Sequence, residues 1–357
     1  MKKIKGKIIV VGILAIMLSG LQSSCAERQN NIDQSLENAR ILFQRANVRE
    51  ERRNELFITD QDGNNIQWLG IVTGPAKWSN SGTYFATGCF EGYDGPRKIC
   101  IYDARTIPNY REYVIQSYSY IPDIALELDL PKQCKEIAAD TADFSGILSI
   151  SWSPNDESIA IVCDGYVDDN HQERVCILPL DGEAACWDES KSNGVRQVEW
   201  SPKDNMIATG GVVDEQSIIY LVEPDGENAT FLAQGWGPEW SPDGQRIAYL
   251  AYSDIVVDDI YRQAAIAVVN NDGTDMKWLY NSGPSGGLFL DECVNPGGIC
   301  NLAWSPDGEY LTFIGGELGP YSYHLISMNI ETGEMMTLIQ IPVIGNYLLY
   351  PDWGLIE

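Results

Sequence analysis

Five segments of this chain repeat one short pattern, and a pattern that recurs restricts a fold far more than any single motif. They are Lys77-Trp78-Ser79-Asn80-Ser81-Gly82, Ser151-Trp152-Ser153-Pro154-Asn155-Asp156, Glu199-Trp200-Ser201-Pro202-Lys203-Asp204, Glu239-Trp240-Ser241-Pro242-Asp243-Gly244 and Ala303-Trp304-Ser305-Pro306-Asp307-Gly308. Each runs on into an apolar stretch such as Ile247-Ala248-Tyr249 or Leu311-Thr312-Phe313. The chemistry is that of a tight hairpin. Proline presets the first turn dihedral, Asp or Asn accepts a local hydrogen bond, and Gly takes the left-handed position before the next strand. A second hairpin alternates with the first, ending in Asp62-Gly63, Asp181-Gly182, Asp225-Gly226, Asp272-Gly273 and Thr332-Gly333. After Ile101-Tyr102-Asp103 the same slot holds Ala104-Arg105.

Two hairpins make a four-stranded unit of ~40 residues, the size of a β-propeller blade. Near the C-terminus, Tyr350-Pro351-Asp352-Trp353-Gly354 supplies a sixth Trp strand without partners after it, and Ala39-Arg40-Ile41-Leu42-Phe43 supplies a partner strand at the start. The expectation is an all-β, six-bladed propeller of four-stranded antiparallel blades over residues 38–357. The strand at about 39–44 pairs with the strand at about 349–354, which leaves no open edge at the seam. The motif resembles the WD40-like (PD40) repeat of TolB-type propellers, most closely at 240–244 and 304–308. It is also similar to propeller domains of the prolyl-oligopeptidase and dipeptidyl-peptidase type. The TolB resemblance implies an interaction scaffold in the cell envelope. It departs at the N-terminus, where TolB proteins carry an α/β domain and this chain has about a dozen residues between Cys25 and the first strand.

Residues 1–24 read as an export signal. Lys2, Lys3, Lys5 and Lys7 precede an apolar stretch from Ile8 to Gly20, which is shorter than the ~20 residues that span a bilayer. Leu21-Gln22-Ser23-Ser24-Cys25 resembles a lipoprotein signal, which makes Cys25 the lipidated first residue. It differs in having Gln22 where the family has Leu, and cleavage nearby without lipidation is the alternative. Residues 25–37 then form a flexible tether. Localisation is therefore the bacterial envelope through a lipid anchor, or else the periplasm or exterior.

Cysteine usage agrees with an oxidising compartment. Setting Cys25 aside leaves eight of the nine cysteines. Cys89 and Cys163 each lie 11 residues after the Trp of their repeat, and Cys100-Ile101 and Cys176-Ile177 sit in like settings. The same cross-strand disulfide is expected twice, Cys89–Cys100 and Cys163–Cys176. Cys293–Cys300 would staple a loop, leaving Cys134 and Cys186 to pair by elimination.

In a four-stranded meander the first and third turns share one side, and here they are short. The opposite side carries the longer loops around 90–98, 164–174, 253–263 and 315–320, with connectors near 112–148 and 281–299. Binding residues concentrate on such loops. Asp168, Asp169, His171 and Glu173 fall in one of them, and Asp258 and Asp259 in another with Tyr252 and Tyr261 beside them. These acids and tyrosines suit a protein or peptide partner, a glycan, or Ca²⁺ held by several hard oxygens. No cofactor is expected, Ca²⁺ being the alternative, and no calcium-loop, phosphate-loop or nucleophile-elbow motif occurs. Two histidines and a net charge of −27 argue against histidine-rich metal chemistry, nucleic acid and anionic membranes, so membrane association runs through the lipid alone. The leading expectation is a non-catalytic envelope scaffold. The alternatives are a glycan hydrolase or lyase, or a calcium-dependent carbohydrate module. Two buried acids with raised pKa values facing one pocket would mark the enzyme.

Overall fold

The computed structural model describes residues 39–47, 54–90, 97–107, 123–138, 146–167, 170–192, 194–213, 216–257, 261–281, 302–316, 322–342 and 346–355. The signal segment, Cys25, the tether, Asp168, Asp169, Asp258, Asp259, Cys293 and Cys300 lie outside these residues.

The described chain forms six four-stranded sheets. The chain opens with β1 (Ala39–Asn47), β2 (Asn54–Asp60) and β3 (Gln67–Val72), three strands of blade 1. Blade 2 is β4 (Ala76–Trp78), β5 (Tyr84–Phe90), β6 (Arg97–Asp103) and β7 (Ile124–Asp129), followed by the helix α1 (Lys132–Ala138). Blade 3 is β8 (Ser149–Trp152), β9 (Ser158–Val167), β10 (Asn170–Pro179) and β11 (Ala185–Cys186), with a single-turn helix at Glu189–Ser192. Blade 4 is β12 (Val195–Trp200) to β15 (Thr230–Gln234), by way of β13 (Ile207–Val213) and β14 (Gln216–Val222). Blade 5 comprises β16 (Trp236–Trp240), β17 (Arg246–Val257), β18 (Tyr261–Asn270) and β19 (Lys277–Asn281). Blade 6 comprises β20 (Ala303–Trp304), β21 (Tyr310–Gly316), β22 (Ser322–Asn329) and β23 (Met335–Pro342). The last strand, β24 (Asn346–Leu355), returns to blade 1.

The turn after each Trp strand obeys its residues. Ser241 Oγ donates to Asp243 Oδ1 at 2.5 Å and accepts from Arg246 N–H at 3.0 Å, so one hydroxyl ties both ends of the turn. Ser305 does the same with Asp307 and Tyr310. Gly244 and Gly308 take φ of +70° and +73°, the left-handed region that glycine enters freely. In blade 3 that position belongs to Asp156, at φ +57°. Its carboxylate accepts the backbone N–H groups of Asn80 and Ser81 in blade 2 at 2.8 and 2.9 Å, which offsets a non-glycine residue in that conformation.

The repeated tryptophans join neighbouring blades. Trp152, Trp240 and Trp304 each donate the indole N–H at 3.0 Å to the residue before the Trp of the preceding blade, at the carbonyls of Lys77, Glu199 and Glu239. Trp353 reaches Thr312 Oγ1 in blade 6 at 2.6 Å. Arg246 of blade 5 lies 5.1 Å over the ring of Trp304, a cation–π contact in the same seam. The core therefore sits between blades. One cluster, for example, joins Trp236, Leu250 and Ile266 of blade 5 and its approach to Trp304, Phe313 and Met328 of blade 6.

Ring closure matches the sequence expectation and extends it. β1 and β24 pair antiparallel from Ala39↔Leu355 to Asn47↔Asn346, with an irregularity between Leu42 and Gln44. The seam is tight: a Cβ on Gly354 would lie 2.4 Å from the Trp78 ring, and one on Gly82 would collide with the Leu355 carbonyl.

Two expectations need correction. The segment near 112–148 is not wholly a connector, because Ile124–Asp129 is the outer strand of blade 2 and Lys132–Ala138 is helical. Cys89–Cys100 forms as expected, but Cys163 bonds Cys134 and Cys176 bonds Cys186. Neither Cys163–Cys176 nor Cys134–Cys186 forms. Cys163 does occupy in β9 the diagonal register to Cys176 that Cys89 occupies to Cys100. The difference comes from outside the hairpin. Helix α1 places Cys134 against Cys163, and β11 places Cys186 directly opposite Cys176.

Candidate functional site

Two of the segments expected to be loops on the longer-loop side, 164–174 and 253–263, are largely hairpin among the described residues. β9 and β10 pair out to Val167↔Asn170, so His171 and Glu173 are strand residues. β17 and β18 pair out to Val257↔Tyr261, which puts the backbones of Tyr252 and Tyr261 in strands. The extension follows from composition, since β-branched and aromatic residues such as Val167 and Val256-Val257 carry the pairing outward.

His171 and Glu173 come together. His171 Nε2 lies 3.3 Å from Asp164 Oδ2 and its Nδ1 lies 3.3 Å from Glu173 Oε1, so one imidazole bridges two carboxylates across the hairpin. Glu173 is buried, accepts the Gly194 N–H at 3.3 Å, and has the Arg196 guanidinium 3.9 Å away. His171 is exposed. The cluster thus presents a polar edge on a fixed strand end, with the histidine outermost. Asp164 and Arg196 complete it, Asp164 through its register opposite Glu173 and Arg196 from the neighbouring blade.

A second cluster lies where the blades converge. The residue preceding Trp in the six repeats forms one column: Lys77, Ser151, Glu199, Glu239, Ala303 and Asp352. Four of these meet. The Lys77 ammonium lies 2.6 Å from Glu239, 3.2 Å from Glu199 and 3.3 Å from Asp352. Blade 2 supplies Lys77 and blade 5, on the opposite side of a six-bladed ring, supplies Glu239. A bond across that diameter puts the ammonium on the propeller axis, and the four side chains are only 7–13% exposed. Asp352 Oδ2 also accepts the Trp78 backbone N–H at 2.6 Å, and Ser151 Oγ accepts that of Trp200 at 2.8 Å. The axial residues therefore bind the ring together as well as one another.

Burial dominates the electrostatics here. It pushes Glu199 up to about 7, against the pull of Lys77 and with a further push from Asp352. Glu239 rises well above the ordinary carboxylate range, from burial first and the Glu199 charge second. Asp352 is raised by burial, with Lys77 and the Trp78 N–H pulling it back. For Lys77, burial acts downward, but Asp352, Glu199 and Glu239 outweigh it and hold the ammonium well above its usual value. These are buried acids with raised pKa values, and all three face the Lys77 ammonium. Sequence reasoning missed this cluster, although aligning the six repeats displays the column.

Among the described residues no helix is long and apolar enough to cross a membrane.

Solved structures with a similar fold include two TolB-type propellers. TolB from Acinetobacter baumannii superposes with a TM-score of 0.61 at 14% identity, over 88% of this chain and 66% of that one. A putative TolB from Agrobacterium tumefaciens gives a TM-score of 0.51 at 14% identity, over 88% of this chain and 98% of that one. The likeness is one of fold. No protein-family model matches the chain, and no curated protein matches it.

Proposed function

We propose that the chain is a non-catalytic binding propeller of the bacterial cell envelope. It is exported by residues 1–24, held by lipid on Cys25, and recognises a protein or peptide partner through the side carrying the β9–β10 hairpin end. The observation that carries this reading is the axial cluster. Its raised-pKa carboxylates are spent on Lys77 and, for Asp352, also on the Trp78 backbone N–H of the neighbouring blade, which is the chemistry of a fastener rather than of an acid–base pair flanking a scissile bond. The TolB-like fold and the disulfides support an envelope setting. The exposed His171 with Asp164 and Glu173 sets two carboxylates at the end of the β9–β10 hairpin. A partner that presents Lys or Arg fits it, and its association slows as salt rises.

The test is a thermal-melt screen of the folded chain against Ca²⁺, EDTA, common glycans and short basic peptides. A ligand that binds only the native state at a hundredfold excess over its Kd stabilises it by about 2.7 kcal/mol. The binding reading expects a shift with basic peptides that salt suppresses. A shift with a glycan that the protein then cleaves would replace it with the enzyme reading, and a shift with Ca²⁺ plus a glycan would replace it with the carbohydrate module.

A further inference from the structure

Blade 3 gathers four cysteines from four elements: Cys134 on α1, Cys163 on β9, Cys176 on β10 and Cys186 on β11. They form two disulfides, Cys134–Cys163 and Cys176–Cys186. The two bonds touch. Cys134 Sγ lies 3.7 Å from Cys176 Sγ, and the sulfurs of Cys134, Cys163 and Cys176 all lie within 4.8 Å of one another. Those three cysteines are fully buried, whereas Cys186 is partly exposed. It sits on a two-residue strand at the outer edge of its blade, held to β10 by only two register pairs. Short edge pairings of this kind open locally at little cost. The remaining described disulfide, Cys89–Cys100, is buried within a seven-residue hairpin pairing and touches no other described cysteine.

We propose that this cluster is a thiol–disulfide exchange site for an external dithiol, entered at Cys186 and relayed inward through Cys176. A thiolate of the dithiol attacks Cys186 Sγ, forming a mixed disulfide and releasing Cys176 as thiolate. Cys176 attacks the Cys134 sulfur 3.7 Å away, forming Cys134–Cys176 and releasing Cys163. The second thiolate of the dithiol resolves the mixed disulfide, leaving the reagent as its cyclic disulfide and freeing Cys186. Two electrons pass from the dithiol to the protein, its two protons end on Cys163 and Cys186, and one of the two protein disulfides is consumed. The exchange frees β11 from β10 and transfers the anchor of α1 from β9 to β10. It changes the outer edge of blade 3 without touching the ring seam.

The experiment uses the folded, oxidised full chain treated with one equivalent of dithiothreitol without denaturant, quenched in acid, alkylated with N-ethylmaleimide and mapped by peptide mass spectrometry. The expected product carries two alkyl groups, on Cys163 and Cys186, a Cys134–Cys176 cross-linked peptide, and intact Cys89–Cys100. Alkylation of Cys176 and Cys186 with Cys134–Cys163 intact would overturn the relay. Loss of Cys89–Cys100 in parallel, or no reduction short of global unfolding, would overturn selective entry. A Cys186→Ser chain offers a second reading, because its unpaired Cys176 thiol should yield Cys134–Cys176 in part of the oxidised population. Cys134–Cys163 as its sole product would also contradict the relay.

Discussion

Replacing Lys77 by Met removes the single cation from among three buried carboxylates while keeping most of the side-chain volume. Breaking a buried ion pair from one side costs about 3–5 kcal/mol, because the remaining charge stays desolvated. The 320 residues from Asn38 to Glu357 imply an unfolding entropy near 0.7 kcal/mol/K, so this loss corresponds to about 4–8 °C in Tm. The pH dependence is the sharper part. A carboxylate whose folded pKa is raised binds protons more tightly when folded, so its contribution is favourable below its unfolded value and is lost as pH rises through the folded value. Glu199, raised to about 7 from 4.5, thus removes about 3 kcal/mol of stability between roughly pH 4.5 and 7 in the native protein. Lys77 pulls Glu199, Glu239 and Asp352 down, so Lys77→Met lets all three rise further. The variant's deficit should be smaller at pH 5, where Glu199 is protonated, and full at pH 8. Calorimetric melts of both proteins at pH 5, 6.5 and 8 measure this directly. A deficit below about 1 kcal/mol at pH 8, or one independent of pH, would refute the axial assignment.

Further outcomes follow from the same geometry. Glu239→Gln keeps an acceptor for Lys77 while removing one buried charge, so stability at pH 8 is retained or raised and the slope between pH 5 and 7 flattens in calorimetric melts. Gly354→Ala forces a Cβ to 2.4 Å from the Trp78 ring and should lower stability by about 1–3 kcal/mol, read by urea unfolding. Deleting residues 348–357 removes most of the strand paired with β1 and should abolish cooperative unfolding altogether. Asp156→Ala loses three inter-blade hydrogen bonds and leaves alanine at φ +57°, costing about 2 kcal/mol. Metabolic labelling with a radioactive fatty acid should mark the wild-type chain and not Cys25→Ser.

The fold was legible because its determinants are local and repeated. Trp-Ser-Pro-Asp-Gly and its variants encode a turn within five residues, and five copies in register with a sixth Trp strand leave little but a closed ring. The hairpin disulfide Cys89–Cys100 followed for the same reason, since register alone brings its cysteines together. Blade 3 shows where local logic ends. Cys163 and Cys176 have that same register, but a helix some 30 residues upstream and a two-residue outer strand capture them instead. The functional residues divide in the same way. His171 and Glu173 stand two apart on one strand and point to one side, so their association was visible. Arg196 arrives from another blade and was not. The axial quartet joins residues up to 275 positions apart, Lys77 and Asp352. Only superposing the repeats, and noticing four charges immediately before buried tryptophans, would have found it.

The binding reading meets its most direct test in the native envelope. A photo-crosslinking residue is placed at position 171, on the exposed end of the β9–β10 hairpin, and in a parallel chain at position 331, in an exposed turn on the opposite side. The expected result is a discrete protein adduct from position 171 that weakens as salt rises, and none from position 331. Equal adducts from both positions, or none from 171 in cells where the protein is abundant, would contradict a partner-binding face on that side of the propeller.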